Sequence, residues 1–364
     1  MKFKAKISQA PLGDLDPDRL ISGVCWETIG IDTAGPLPIR LHPVKLRNIK
    51  SFELGDYLRR PQKKHSPFAV TKFDGGEPTT TCHILLVTCL STRAVHLEVL
   101  DNLTLDVVGM GLLKTFARRG WPSRILSDNH KTFLSLQRDE RFRQLGIQWD
   151  PIPERAPWVG GIWERLVAPV KDTLKRMMRC ASVTKQEMEY LVSQAESVIN
   201  DRPLSASLES PMEEGRITPS LLIQNRKLRD HPPPPLPNTI PVLRSHQEAR
   251  CRNRHRQQLQ KSFWNCWRRQ YLQALQKRGK TFHSKTTTQL SVGQVVLIND
   301  TPAPRNMWRL GRIVELKATR SVKPNESAPI PRSALIRTSE GLIRRSVRSI
   351  APMECEENPH ILQE

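Results

Sequence analysis

Arg124-Ile125-Leu126-Ser127-Asp128-Asn129 is a short apolar run that ends on a carboxylate, and its reading decides the fold. Just before it, Thr104 to Arg119 repeats Val107, Val108, Leu112 and Phe116 at helical spacing, stops at Gly120 and meets Pro122. A glycine after the last periodic residue and a proline just beyond it end a helix. Ser123 to Ser127 is therefore expected to be a strand that delivers Asp128 to its end. Working outward, Ile29 to Asp32 reads as a first strand, His83 to Leu90 as a second and Arg93 to Val99 as a third. Only Ser91 and Thr92 separate the second from the third, which predicts a tight antiparallel hairpin. Downstream, Phe133 to Leu145 supplies a helix and Ile147 to Trp149 a short strand. Strand and helix patterns alternate over residues 29–151, as in a layered α/β domain.

Asp32 and Asp128 both close strands, and thirty-five residues separate Asp128 from Glu164 in Gly160-Gly161-Ile162-Trp163-Glu164-Arg165-Leu166. Three acids on two strand ends and one helix are the donor set that a pair of divalent metals needs, because hard cations take oxygen ligands from separate rigid elements. The ordinary alternative for such acids is a surface ion pair or a helix cap. Trp163, Leu166, Val167, Val170, Leu174, Met177 and Met178 form an apolar helical stripe, while Glu164, Lys171 and Lys175 share another side. Lys171 either holds a phosphate beside the metals or stands on a solvated face. His83 and His96 fall within strand-like runs and read as half-buried strand residues rather than ligands.

The chain has 364 residues and a formal net charge of +21, with a pI near 10.1. A surface this basic repels itself unless a polyanion relieves it, which makes nucleic acid the leading partner. The longest apolar run, Ile84 to Leu90, is too short to span a bilayer, and the Lys-rich start lacks a signal-peptide apolar region. The seven cysteines are scattered without a CxxC pair, which argues against a disulfide scaffold and for a reducing compartment, cytosol or nucleus.

Thr184-Lys185-Gln186-Glu187 is a capping box opening a helix that runs through Met188, Leu191, Val192, Ala195, Val198 and Ile199 and ends at Asp201-Arg202-Pro203. Residues 205–242 read as loop, with Pro232 to Pro235 a stiff extended piece. Residues 244–280 form a basic amphipathic stretch with Phe263, Trp264, Trp267, Tyr271, Leu272 and Leu275 at helical spacing. Packing is the expectation for those aromatics, and phosphate contact for arginines such as Arg268 and Arg269. Beyond Gln289, short strand-like runs at Val295–Ile298, Arg312–Leu316, Ala334–Arg337 and Leu342–Val347 suit a small β-barrel.

Several of these stretches resemble the integrase region of BEL/Pao long-terminal-repeat retrotransposons. They are Gly30-Ile31-Asp32-Thr33-Ala34-Gly35-Pro36-Leu37, Ser91 to Glu98, Pro122 to Asn129, Trp163-Glu164-Arg165-Leu166-Val167 and Val198 to Leu204. Phe263-Trp264-Asn265-Cys266-Trp267 and Trp308-Arg309-Leu310-Gly311-Arg312-Ile313 are similar to the domain that follows that core. The resemblance implies a ribonuclease H-like mixed five-stranded sheet flanked by helices, then a basic helical linker and a small all-β SH3-like barrel. It implies a DDE-type polynucleotidyl transferase in which Asp32, Asp128 and Glu164 are catalytic and bind two Mg2+ or Mn2+ ions, with DNA as substrate, a homo-oligomeric active form and a nuclear site of action. Asn129, Lys171, Lys175, Arg268 and Arg269 are its expected nucleic-acid contacts.

The corresponding organisation is an N-terminal linker at 1–24, the catalytic core at 25–204 with an atypical insertion at about 38–81, and a Pro-rich linker at 205–243. A basic helical segment at 244–288, a nucleic-acid-binding β-barrel at 289–352 and a tail at 353–364 complete it. The family carries Gly after the Asp-Asn pair, where this chain has His130-Lys131-Thr132. A Cβ in a turn meant for glycine would be strained, or the imidazole would crowd the metals. The resemblance also leads one to expect an amino-terminal zinc-binding module before such a core, and residues 1–24 carry no His-His-Cys-Cys spacing for one. The alternative is a catalytically impaired or domesticated remnant that only binds nucleic acid. In either case DNA affinity is expected to fall by on the order of a thousandfold between about 50 and 200 mM salt. Fluorescence anisotropy reads this, and an affinity that stays constant excludes a phosphate-dominated interface.

Overall fold

The computed structural model describes residues 24–40, 79–152, 168–177, 183–206, 216–224, 245–278, 290–299, 308–318 and 331–354. Strands β1 (Thr28–Arg40), β2 (Thr79–Cys89), β3 (Val95–Leu100), β4 (Arg124–Ser127) and β5 (Gln148–Pro151) form one sheet in the order β3-β2-β1-β4-β5. The pairs β1–β2 and β2–β3 are antiparallel, whereas β1–β4 and β4–β5 are parallel. Parallel neighbours need a crossover. Helix α1 (Leu105–Arg119) supplies it between β3 and β4, and α2 (Lys131–Arg138) with α3 (Glu140–Arg143) between β4 and β5. This is the ribonuclease H-like mixed sheet.

Strand β2 is apolar on both faces. Leu85 and Val87 pack with Ile29, Ile31, Val108, Leu112, Phe116 and Phe133, while Ile84 and Leu86 pack with Ala34, Leu97, Val99 and Leu174 on the opposite side. A sheet covered on both faces removes the polar half of the strand alternation, hence the unbroken apolar run in the sequence. Helix α1 lies close against its face because residue 111 is glycine. A Cβ there would stand 2.8 Å from Leu100 Cδ2 and 3.3 Å from Leu85 Cδ2. Gly120 ends α1 at φ 104, its amide donating to Phe116 O over 2.8 Å.

Several boundaries differ from the sequence reading. The hairpin β1–β2 is longer, with Arg40 opposite Thr79, so part of the expected insertion extends the sheet while 41–78 lie outside the described residues. Five residues, Leu90 to Ala94, join β2 to β3 instead of two. Arg93 sits there at φ 57, and the Cys89 amide donates to Ala94 O to close the loop. The expected helix from Phe133 to Leu145 is broken at Asp139, which adopts φ −68, ψ 127 and accepts the Arg141 amide to cap α3. A short-range side-chain bond has outcompeted helix continuation there.

A helix over 168–177 (α4) follows, then α5 (Lys185–Asn200), whose capping box closes as expected: Thr184 Oγ1 accepts from Glu187 N and Glu187 Oε2 from Thr184 N. The stretch read as loop contains β6 (Ser205–Ala206), β7 (Arg216–Ile217) and α6 (Pro219–Gln224), while Pro232 to Pro235 lie outside the described residues. Helix α7 (Ser245–Arg278) then runs for 34 residues. The last sheet holds β8 (Val295–Ile298), β9 (Arg309–Ala318), β10 (Pro331–Thr338), β11 (Gly341–Ser346) and β12 (Ile350–Pro352), antiparallel throughout in the order β11-β10-β9-β8-β12.

The aromatic stripe of α7 is a packing face. The Trp308 ring stands edge-on to Trp264, Trp267 and Tyr271 at centroid distances of 5.1, 5.8 and 5.7 Å. Phe263, Trp264 and Trp267 share one hydrophobic cluster with Leu191 and Val198 of α5 and with Ala351 and Met353. Beside this cluster Arg202, with a fully buried side chain, donates from Nε to Glu354 Oε2 (2.9 Å) and through its other nitrogens to the carbonyls of Ile199 and Arg93. Tyr271 Oη donates to Glu354 Oε2 (2.8 Å), and Arg93 adds a second guanidinium.

Burial alone would raise the Glu354 carboxyl, but Arg202, Arg93 and Tyr271 overcome it and hold it down at about 2, against an ordinary 4.5. Because the folded-state value is depressed, its contribution to stability is present above pH 4.5 and lost as pH falls toward 2. Glu354→Gln, which leaves Arg202 buried without its counter-charge, is expected to cost about 3–5 kcal/mol at neutral pH. It should also flatten the loss of stability across that acid window. Urea melts at a series of pH values measure both effects, and unchanged stability would show that the pair contributes nothing net.

Candidate functional site

The register of β1 against β4 builds the centre of the site. Ile31 pairs with Ser127 in parallel, so Asp32, which lies within β1 opposite Leu86 and not at a strand end as expected, stands beside Asp128, the residue just past the end of β4, on neighbouring strands whose axes lie about 4.8 Å apart. Two carboxylates far apart in sequence are thus juxtaposed by backbone pairing. Both oxygens of Asp32 are engaged: Oδ1 accepts the Thr33 amide (2.6 Å) and Oδ2 accepts Lys171 Nζ (2.6 Å). Lys171 lies on α4, and the side chains of this pair are 24 % and 16 % exposed. Asp128 is exposed, and its Oδ1 accepts the amide of His130 (3.1 Å).

The wall behind Asp128 is fixed by buried polar contacts. Trp149 on β5 donates from Nε1 to the buried Ser127 Oγ (2.9 Å). Asn129 donates from Nδ2 to the Ile152 carbonyl (2.9 Å), so its amide anchors the exit of β5. Ile152 is the last described residue before the segment that carries Gly160, Gly161 and Glu164, and that segment lies outside the described residues. The strain expected at His130 is absent: the residue has φ −63, ψ 134, an extended conformation any side chain adopts, and it occupies the N-cap position of α2 without a side-chain capping bond. Its ring turns to Phe133, edge-on at 5.9 Å.

The other expected contacts are placed unequally. Lys175 is exposed one turn beyond Lys171. Arg269 is exposed, but Arg268 is only 4 % exposed and faces the protein interior, because α7 buries that side against the core. His96 is buried in β3 and paired with Glu196 over 3.2 Å. His83 is half-buried, and burial lowers its pKa. Thr173 on α4 donates to Gln270 Oε1 on α7 (3.1 Å). This tie between the Lys171 helix and the C-terminal part was invisible in the sequence, as was the role of Arg202 toward Glu354, 152 residues away. No local spacing signals partners at that separation.

Among the described residues no group of three His, Cys, Asp or Glu is gathered to hold a metal. Asp32 and Asp128 offer two hard carboxylates. Carboxylate oxygens are the donor type a divalent ion takes, and Asp32 Oδ2 already faces a cation, the Lys171 ammonium.

The family model described as "Family of unknown function (DUF5641)" matches residues 251–353, which here are α7 and the C-terminal sheet. No curated protein matches the chain. Among solved structures, the catalytic core domain of BIV integrase aligns at 19 % identity over 40 % of this chain and 86 % of its own, with a TM-score of 0.30. The simian T-cell lymphotropic virus intasome in complex with PP2A regulatory subunit B56 gamma aligns at 15 % identity over 76 % of this chain and 74 % of its own, TM-score 0.31. The HTLV-2 integrase catalytic core domain in complex with magnesium aligns at 15 % over 40 % of this chain and 86 % of its own, TM-score 0.29. At such scores the likeness carries no argument, and the fold rests on strand order and polarity.

Because His130 is unstrained, His130→Gly should not relieve anything. It is expected to destabilise by about 0.5 kcal/mol through the added freedom of the unfolded chain, measured by urea denaturation. A stabilised variant would mean that the turn does require glycine.

Proposed function

We propose that this chain is an integrase-type polynucleotidyl transferase of the BEL/Pao kind, which cleaves a phosphodiester at a DNA end and transfers that end to a second DNA. The observation that carries the reading is the parallel register that sets Asp32 and Asp128 side by side with a lysine already on Asp32. Glu164, on the segment leaving β5, is the proposed third ligand.

Asp32, Asp128 and Glu164 would hold two Mg2+ or Mn2+ ions. When bound, such ions supply Lewis-acid stabilisation of the attacking and leaving oxygens in an in-line displacement. The protein's own part is positional. β1 and β4 fix two carboxylates on a rigid sheet, Asn129 holds the β5 exit beside Asp128, and α4 presents Lys171 and Lys175 on the same side. Lys171, Lys175 and Arg269 are the proposed phosphate contacts. Arg268 drops out of that set because it is buried. The partners that follow are element-end DNA, target DNA and further copies of this chain, since two DNA ends must be joined together, and the nucleus is the proposed place of action. No helix among the described residues is long and apolar enough to cross a membrane.

A labelled oligonucleotide resembling a terminal repeat, incubated with the chain and Mg2+ or Mn2+, is expected to be nicked and joined to a second DNA. Asp32→Asn, Asp128→Asn and Glu164→Gln should each reduce this by on the order of a hundredfold or more, since loss of mere supporting groups around a metal costs 10–100-fold. Activity that survives these substitutions overturns the reading. DNA binding without metal-dependent chemistry in the unaltered chain selects the binding-protein alternative.

A further inference from the structure

We propose that Lys171 is the resident counter-cation of Asp32, displaced when a divalent metal binds there, and that the displacement frees it for a DNA phosphate. The inference rests on the metal-site reading above and adds a coupling to it: metal occupancy and phosphate capture become one event. Of the two Asp32 oxygens, Oδ1 accepts the Thr33 amide and Oδ2 the Lys171 ammonium, each over 2.6 Å. A magnesium ion needs that oxygen at roughly 2.0–2.1 Å. An ammonium and a dication on the same oxygen repel strongly in a partly buried setting, which favours exchange of one for the other.

Displacement requires little rearrangement. Helix α4 is pinned by buried Val170, Leu174 and Met177 and by Thr173 on Gln270, so the helix stays and only the flexible four-carbon stem of Lys171 swings. Lys175 lies one turn along the same helix and is exposed, so a phosphate lying beside α4 meets two cations once Lys171 has turned. Before metal arrives, Lys171 is spent on a carboxylate and unavailable to DNA. With metal bound, the same charge points outward. The device makes DNA-end capture selective for the metal-loaded protein.

The full chain tests this without reference to catalysis. Mn2+ binding in the absence of DNA is measured by calorimetry for the unaltered chain, Lys171→Met, Lys171→Gln, Lys171→Arg and Asp32→Asn, each checked by circular dichroism. Both neutral replacements should bind Mn2+ more tightly, by about tenfold, while Lys171→Arg, which keeps the competing cation on a fork that is harder to release, should bind it no more tightly than the unaltered chain. Mn2+ should strengthen binding of a DNA-end oligonucleotide in the unaltered chain, and the Lys171-dependent part of that gain should vanish in Lys171→Met. Mn2+ binding that depends on Asp32 but is unchanged or weakened in both neutral replacements overturns the coupling and leaves the metal site standing. An unaltered chain that binds Mn2+ no better than Asp32→Asn overturns the metal site, and the coupling with it.

Discussion

The parallel pairing of β1 with β4 is the constraint on which the rest depends. No turn connects these strands; β2, β3 and α1 intervene, and the register rests on the backbone ladder and on the packing of alternate side chains. Ile29 and Ile31 lie with Ile125 in the cluster beneath α1. A slip of one residue would turn the apolar set of β1 to the wrong face and would separate Asp32 from Asp128 at the same time. The two-sided core that fixes the strands therefore also fixes the carboxylates, with a precision that a loop-borne site would lack.

A second layer of constraint comes from the C-terminal part. Helix α7 covers α4 and α5 with Phe263, Trp264 and Trp267, and the Thr173–Gln270 bond reaches the helix that presents Lys171. The Arg202–Glu354 pair closes the arrangement from the far end of the chain. Burying two charges is costly and an apolar pair of similar volume could be equally stable. What the ion pair adds is geometry: Arg202 reaches the Ile199 and Arg93 carbonyls as well as Glu354, and only one orientation satisfies all of them. The region matched by the family model of unknown function is thus joined to the ribonuclease H-like core by packing and by a buried polar network.

The fold was legible wherever local rules governed it. Gly120 and Pro122 announced β4, the Thr184–Glu187 capping box announced α5, and the aromatic spacing of α7 announced a packing face. Misreadings came where a side chain or a distant partner overruled the local pattern. Asp139 split a helix by capping its own successor, Arg93 lengthened a hairpin loop, and Arg268 was taken for a phosphate contact because the burial of α7 against α5 cannot be seen in a 34-residue basic stretch. His130 shows the reverse case, an expected strain that its extended backbone removes. Of the site, Asp128 lies past a strand end as read, whereas Asp32 sits within β1, because the strand continues to Arg40 against β2, and the Lys171–Asp32 contact spans 139 residues. Glu164, read from its motif, lies outside the described residues.

Lys171 also bears on how such a site survives before it is loaded. Carboxylates placed on adjacent strands repel each other, and under the proposed function no dication relieves that repulsion until one is bound. A fixed cation beside one acid offsets that repulsion, and the His130 amide on Asp128 satisfies part of the other. An arginine would satisfy the same charge with a bidentate fork that is hard to release, whereas an ammonium on a flexible stem binds as a point charge and leaves readily. On the proposed coupling, the residue type at position 171 suits a contact that stabilises the unloaded sheet and then gives way.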